Sequence, residues 1–403
     1  MTAGPLRGLV VLDLCHFLAG PYATLALADL GADVIKVEDP DHPDEARRVG
    51  PVFRGEDSVY FMSLNWGKRS LGVRLADPVG RALVLDLVRR ADIVVDNYKP
   101  GVMAKLGLDH ASLAAVNPAI ITCSLTGFGE TGAEAARPAY DYTIQARAGV
   151  MSLTGEPDGP PGKAGISYVD HSGGLAAALA VVAAVVERDR TGIGRHVDLA
   201  LYDVQVSMLS YLAAWTLNSD HVTARHPNGA HPSIVPAQTF ATKDGHVAIF
   251  VGNDPMWARL VGALDDWALA DPGYATNSGR LADREVLLDR LGSLLSAEPS
   301  AHWVATFEAV GVPCESVNSL AEALTDPVLD ARTLVVTSEV DGGGSYRHVR
   351  GPVPLDPTVG LRPAPRLGAD TADVLSELGI AAEEIDRLLE TDVIVGSTRR
   401  VPT

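Results

Sequence analysis

The chain has 403 residues, 33 Lys+Arg against 51 Asp+Glu for a net charge of −18, and 47% hydrophobic content, which is long enough for two or three domains and too apolar for a disordered chain. An acidic balance of this size argues against nucleic acid or an anionic membrane as the main partner, since both reward basic surface, but a local basic pocket for a small anion remains compatible. The three cysteines, Cys15, Cys123 and Cys314, are scattered without CxxC spacing, which fits a reducing compartment and offers neither a disulfide frame nor a zinc site.

The opening MTAGPLRGLVVLDL has a single Arg, and Asp13 breaks its apolar run too early for a signal core. Gly8–Leu14 reads as a buried strand, Tyr22–Leu30 as a helix ended by Gly31, and Asp33–Glu38 as a second strand. The pattern recurs with strand Lys68–Leu75, amphipathic helix Pro78–Arg90, and strands Asp92–Asp96 and Ile120–Leu125. Such alternation predicts an α/β fold, a Rossmann-like parallel sheet with helices on both faces. Ligands on such sheets sit beyond the carboxyl ends of the strands, which draws attention to the loops His16–Gly20, Asp39–Arg48, Asn97–Gly101 and Thr126–Tyr140.

Further on come a turn-rich loop, Thr154–Lys163, a strand-like Ile166–Val169, and the most apolar stretch, Gly173–Val186. That stretch falls short of the roughly 20 residues a bilayer needs and runs straight into Glu187-Arg188-Asp189-Arg190, so a buried helix in a cytoplasmic protein is the expectation. A strand at His196–Leu201 and a helical stretch at Val204–Leu217 follow. His226–Pro236 is rich in Pro, His and Gly, and Lys243-Asp244-Gly245 between alternating apolar residues signals a hairpin. DGGGS at 341–345 reads as a turn, the Pro-rich Gly351–Pro365 as a linker, and Ala369–Leu389 as an amphipathic helix. The expected division is a large domain beginning with 1–217, a linker at 218–238, a smaller α+β domain at 239–325, and a linker with a C-terminal return to the large domain at 326–403.

The first strand, helix and second strand ending at Glu38 imitate a dinucleotide-binding unit, but the intervening loop is HFLAGPYAT rather than GxGxxG, so backbone cannot close on a pyrophosphate as that site requires. P-loop, HExxH and GxSxG patterns are absent, and the histidines show no ligand spacing, so no metal is expected.

The block LDLCHFLAGPYATLALADLGADVIKVEDP at 12–40 closely resembles the class III CoA-transferases, the family of formyl-CoA transferase. Ordered matches continue through NWGKRSL (65–71), DNYKPG (96–101), TGFGETG (126–132), DYTIQARAGVMSLTG (141–155), YVDHSGGL (168–175) and APRLGADTADVLSELG (364–379). The resemblance implies an interlocked, ring-like homodimer, with acyl-CoA and a small carboxylic acid as substrates and no tightly bound cofactor. It also implies a nucleophilic Asp just before the long apolar helix, which is Asp170 here. A carboxylate can attack a thioester, release CoA thiolate, and then carry CoA as its own thioester.

The resemblance places CoA contacts at His16, Leu18 and Ala19, at Val73, Arg74, Leu75 and Ala76 around the adenine, at Asn97, Tyr98 and Lys99 along the pantetheine, at Lys105 on a phosphate, and at Tyr140. Asp39 stands where a relative carries an Arg on the CoA phosphate. Arg47 is a candidate for a free carboxylate because its fork matches carboxylate geometry, and the N–H groups of Gly173 and Gly174 are candidate oxyanion donors. For most of these residues taken singly, packing or solvation is the plainer reading, and an acid at the position of Asp170 is most simply a helix cap. The related α-methylacyl-CoA racemases use a Gly-His-Asp run where this chain reads Ala139-Tyr140-Asp141, and an unperturbed Tyr is a poor base at neutral pH. Transfer is therefore preferred to racemization and to a catalytically silent CoA-binding protein. The segment 228–254 resembles the succinyl-CoA-dependent transferases of short dicarboxylic acids, with His226 and His231 as further cations for a second carboxylate.

Overall fold

A computed structural model describes residues 4–340, 344–353 and 362–396. The chain divides into two compact units, one of Met1–Ala148, Gly165–Leu209 and Val328–Thr403, the other of Gly149–Ala164 and Ser210–Pro327.

In the first unit, short β-rich apolar runs alternate with helices, as the sequence pattern requires. In chain order these are β1 (Val10–Asp13), α1 (Ala19–Asp29), β2 (Asp33–Glu38), α2 (Val59–Asn65), β3 (Arg69–Val73), α3 (Pro78–Val88), β4 (Ile93–Asp96), β5 (Ile121–Thr126), α4 (Asp141–Arg147), α5 (Tyr168–Thr191), β6 (His196–Ala200) and β7 (Ile394–Val395). They form one seven-stranded sheet in the order β7-β3-β2-β1-β4-β5-β6. Every pairing is parallel except that of β7 with β3, so the expected parallel sheet gains one antiparallel edge strand. The chain runs outward from β1 through β2 to β3, then restarts on the other side with β4. The carboxyl ends of β1 and β4 therefore flank the point where strand order reverses, the place where open α/β sheets bind ligands.

Strand alternation divides the core in two. Val11, Val34, Ile93 and Val95 face α1 and α5, whereas Leu12, Ile35, Val37 and Val94 face α3 and the C-terminal helices. The α5 helix is 24 residues long, enough to span a bilayer by length alone. Val169, Ala177, Ala178, Val181 and Ala184 nevertheless pack into the first of these cores, which makes it a core helix. Two glycines let it approach its neighbours. A Cβ on Gly174 would lie 2.7 Å from the Ala19 carbonyl oxygen, and one on Gly173 2.2 Å from a Leu201 methyl.

Two sequence expectations are corrected. The strand-like Ile166–Val169 ends in helix, because α5 begins at Tyr168, so Asp170 lies inside the first turn instead of before it. The single C-terminal helix is two, Thr371–Glu377 and Ala382–Glu390, broken where Gly379 takes φ 88°. The stretch Val204–Leu217 is helical as expected, in helices Leu201–Met208 and Ser210–Asn218 that part at Leu209, with Ser210 at φ 45°. The DGGGS turn and the Pro-rich linker lie largely outside the described residues.

The second unit is built on the expected hairpin. Ala237–Ala241 pairs antiparallel with His246–Phe250, which also pairs with Cys314–Ser316. Helices such as Asp254–Leu264, Arg284–Leu295 and Ser300–Ala309 cover it around Phe240, Val247, Ile249, Trp257, Leu291 and Phe307.

Candidate active site

The turn after β1 carries the first group of candidates and is held in an unfavourable shape. Phe17 has φ 61°, left-handed backbone that a bulky residue avoids, so the surroundings must impose it. The imposing groups are buried charges. The alternation that points Val11 and Val34 at α1 carries on to Asp13, Lys36 and Glu38, so these face the same side near the strands' carboxyl ends, where apolar contacts give way to ion pairs. Lys36 Nζ lies 3.0 Å from Asp44 and donates to the Cys15 carbonyl at 2.6 Å, while Lys68 Nζ bonds Asp13 at 2.9 Å. Asp13 accepts from the Cys15 N–H, and Asp44 accepts from the Phe17 N–H at 3.0 Å. The turn is thus gripped at Cys15 by Asp13 and Lys36 and at Phe17 by Asp44. Burial alone would push the Asp13 carboxyl up, but Lys68 and Lys36 beside it hold it well below the ordinary carboxylate range.

On the other side of the strand-order reversal, Asn97 clasps the same turn. Its Oδ1 accepts from the His16 N–H at 2.9 Å and its Nδ2 donates to the His16 carbonyl at 2.8 Å. The Tyr98 hydroxyl lies 3.3 Å from His16 Nε2, and burial, followed by the Lys36 charge, depresses the His16 pKa. His16, Asn97 and Tyr98, three residues singled out from sequence, are therefore one contiguous structure. Leu18 and Ala19 are buried and offer chiefly backbone at the start of α1, and the Phe17 ring meets Tyr140 edge-on at 6.4 Å, with Tyr140 itself 66% exposed.

The remaining candidates scatter more. Val73 and Leu75 are buried with the apolar core, whereas Arg74 is partly exposed and pairs with Asp41, and Ala76 is exposed. Asp39 closes a local turn, accepting from the N–H groups of Asp41 and Leu75. Lys99 and Lys105 are exposed. Arg47 is 1% exposed, and all three of its guanidinium nitrogens are engaged: Nε and Nη2 with Glu38, Nη1 with Asp57 and the Pro365 carbonyl. Its face lies 3.8 Å from the Phe61 ring centre. A fork so engaged ties the loop after β2 to the sheet instead of meeting a substrate carboxylate. It also accounts for Glu38, the acid that imitates a ribose ligand.

Asp170 is partly buried in the first turn of α5. The Val169 N–H at this helix start is capped from another element. Asp141, 6% exposed at the start of α4, accepts from the Val169 N–H at 2.8 Å, and Gln145 steadies its other oxygen at 2.8 Å. Burial and then the charge of Asp170, followed by Asp44 and Asp141, push the Tyr60 hydroxyl up to about 12, which sets Tyr60 within the electrostatic reach of Asp170. Gly173 and Gly174 lie inside the helix, where backbone N–H groups bond the carbonyls four residues back, so their oxyanion role gives way to one of close packing. Residue-type patterns missed Asp141, Gln145, Tyr60 and the Lys36–Asp44 pair; the one available signal was a charge inside an apolar strand, as in DVIKVE. Among the described residues no cluster of His, Cys, Asp or Glu is placed to hold a metal.

The chain is similar to known proteins along most of its length. The family model described as CoA-transferase family III matches residues 6–371. The chain is 41% identical over 383 residues to succinate–glutarate CoA-transferase of Agrobacterium fabrum, covering 93% of this chain and 96% of that protein. It is 39% identical over 338 residues to acetyl-CoA:oxalate CoA-transferase of Acetobacter aceti, covering 83% and 86%. Among solved structures, a CaiB/BaiF family protein from Brucella suis superposes with a TM-score of 0.82 at 38% identity, covering 94% of this chain and 100% of that one.

Proposed function

The chain belongs to CoA-transferase family III, and from that premise we propose that it moves CoA from succinyl-CoA or a similar acyl-CoA to a short dicarboxylic acid through a thioester on Asp170. The observation that supports the assignment of Asp170 is its position at the start of α5: Asp141 holds the Val169 N–H, and Asp170 follows in the same turn within electrostatic reach of Tyr60.

The Asp170 carboxylate attacks the thioester carbonyl and expels CoA thiolate, leaving a mixed anhydride. The thiolate then attacks the aspartyl carbonyl, the donor acid departs, and Asp170 carries CoA as a thioester. An acceptor carboxylate attacks that thioester, forms a second anhydride and frees the thiolate again. Attack of the thiolate on the acceptor's carbonyl completes the new acyl-CoA and restores Asp170. Each exchange trades like bonds for like, so the protein's task is positioning and exclusion of water.

On this reading the clamped turn at His16–Ala19, with Asn97 and Tyr98, receives the pantetheine arm through backbone groups. Arg74 and Ala76 border the adenine, and the exposed Lys99 and Lys105 meet phosphates, with Tyr140 at the edge near Phe17. The names of the relatives support a dicarboxylic acceptor, glutarate in one case and oxalate in another. The interlocked homodimer implied by the family resemblance is part of the proposal, supported by Leu175, Leu179 and Val186, which α5 exposes in the single chain. Light scattering that returned the 42.4 kDa of one chain would remove it. A cytoplasmic setting is proposed from the three free, buried cysteines. The test of function is a screen of succinyl-CoA against glutarate, oxalate, mesaconate and monocarboxylic controls. Transfer to a dicarboxylate by the wild type and none by Asp170→Ala is expected; transfer only to monocarboxylates would overturn the substrate class.

A further inference from the structure

The second unit contains a cavity of about 660 Å³ bordered by His226, Asn228, Gln238, His246 and Arg284. Arg284 is partly buried at the head of the helix Arg284–Leu295. Two main-chain carbonyls orient its guanidinium, that of His231 at 2.7 Å and that of Pro232 at 3.3 Å. Among the described residues no carboxylate pairs with it, in a chain where acids outnumber bases by 51 to 33. Several other buried or partly buried arginines have acid partners, among them Arg47 with Glu38, Arg69 with Asp33 and Arg280 with Asp254. Among the described residues Arg81 and Arg225 also bond only main-chain carbonyls, but neither borders this cavity.

A cation withdrawn from water without a counter-ion is costly, and an anion in the cavity would offset that cost. The surroundings point the same way. Burial and then the charges of Arg284, His221 and His231 lower the pKa of His226. The His231 ring is fixed at Nδ1 by the Ser233 N–H and at Nε2 by the Tyr211 hydroxyl, so the segment presenting its carbonyl to Arg284 is braced. Glu285 and Asp289 also border the cavity, but both are exposed, where water and salt screen them.

We propose that this cavity binds a small carboxylate anion, with the Arg284 fork taking the carboxylate and Asn228, Gln238 and His226 lining the remainder. The fork suits the planar group of a free acid, and the other polar groups bordering the cavity suit a second oxygen-bearing end. That the occupant is a short dicarboxylate rests on the CoA-transfer reading; that the site takes a carboxylate rests on the cavity and its unneutralised guanidinium.

The test is calorimetric titration of the full-length chain in the Asp170→Ala background with glutarate, using glutaramide and inorganic phosphate as controls. This background cannot form the proposed thioester, so the outcome is independent of whether transfer occurs through Asp170. Glutarate should bind at millimolar or lower concentration, glutaramide should not, and Arg284→Gln should weaken glutarate by about tenfold or more. Arg284→Lys, which keeps the charge, should recover part of the loss, and Glu285→Gln should leave binding equal or tighter. Unfolding curves check that each variant is folded. Absence of glutarate binding, equal binding of glutaramide, phosphate binding as tight as glutarate (an adventitious ion only), or an unchanged affinity in a folded Arg284→Gln would each overturn the proposal.

Discussion

Asp141→Ala is the substitution that separates holding the nucleophile from being it. The Asp141 carboxylate is 6% exposed and bonds the Val169 N–H at 2.8 Å, and Val169 is itself fully buried. A hydrogen bond to a charged group contributes about 1.5–3 kcal/mol net, and the N–H left behind is buried without its acceptor. Loss of a negative charge at a helix start adds roughly 0.3–1 kcal/mol. Together these give a destabilisation of about 2–4 kcal/mol for Ala and about half that for Asn, which keeps an acceptor oxygen without the charge. Asp170 lies one residue beyond Val169, so fraying of this turn displaces it, and displacement of a reacting group by about 1 Å can cost on the order of 10² in rate. The assay pairs urea unfolding with rapid-quench measurement of acyl transfer to the protein. Expected are a lowered midpoint and a slowed first transfer, with a smaller change in KM for acyl-CoA, since Tyr140 is the one proposed CoA contact adjoining Asp141. An Ala variant within about 0.5 kcal/mol of wild type that acylates at the normal rate would refute the reasoning.

At Phe17, φ 61° penalises any side chain, so Phe17→Gly should be more stable than Phe17→Ala by about 1 kcal/mol in urea unfolding, the reverse of the usual order. Lys36→Met removes one partner of a fully buried pair and should cost about 3–5 kcal/mol, with a raised KM for acyl-CoA as the Cys15–Phe17 turn loosens; Lys36→Met with Asp44→Leu should recover part of the stability but not the KM. Burial lifts the Asp29 carboxyl to about 6 from 3.8, so the folded state holds its proton more tightly than the unfolded chain. Its contribution therefore falls as pH rises between those values. Asp29→Asn should stabilise by about 1–3 kcal/mol at pH near 7.5, an advantage that fades by pH near 4. Equal stabilisation across that range would contradict the assignment.

The parallel sheet was legible because alternating strand and helix patterns are local: Asp33–Glu38 was placed to the residue, and β1, β3 and β4 to within a few. The start of α5 was not, because Ile166–Val169 is β-branched and aromatic while the group that turns Val169 into helix is Asp141, 28 residues earlier in the chain. No local pattern carries that bond. His16, Asn97 and Tyr98 could be nominated through family resemblance, but the force that shapes them could not, since Lys36 and Asp44 declare themselves only when register brings β1 beside β2. Arg47 shows the converse. Beside Asp44 and Glu45 in sequence it looks like a loop cation, yet its partners are Glu38 and Asp57, so sequence proximity misdirects where a buried fork reaches across the fold.

The most direct measurement is peptide mapping by mass spectrometry after brief incubation of the wild type with succinyl-CoA and no acceptor. The peptide containing Asp170 should carry covalently bound CoA, lose it on addition of a competent acid, and remain unmodified in Asp170→Ala. Steady transfer of CoA between acids with that peptide unmodified at every time point, or with the CoA attached to a different carboxylate, would contradict the account.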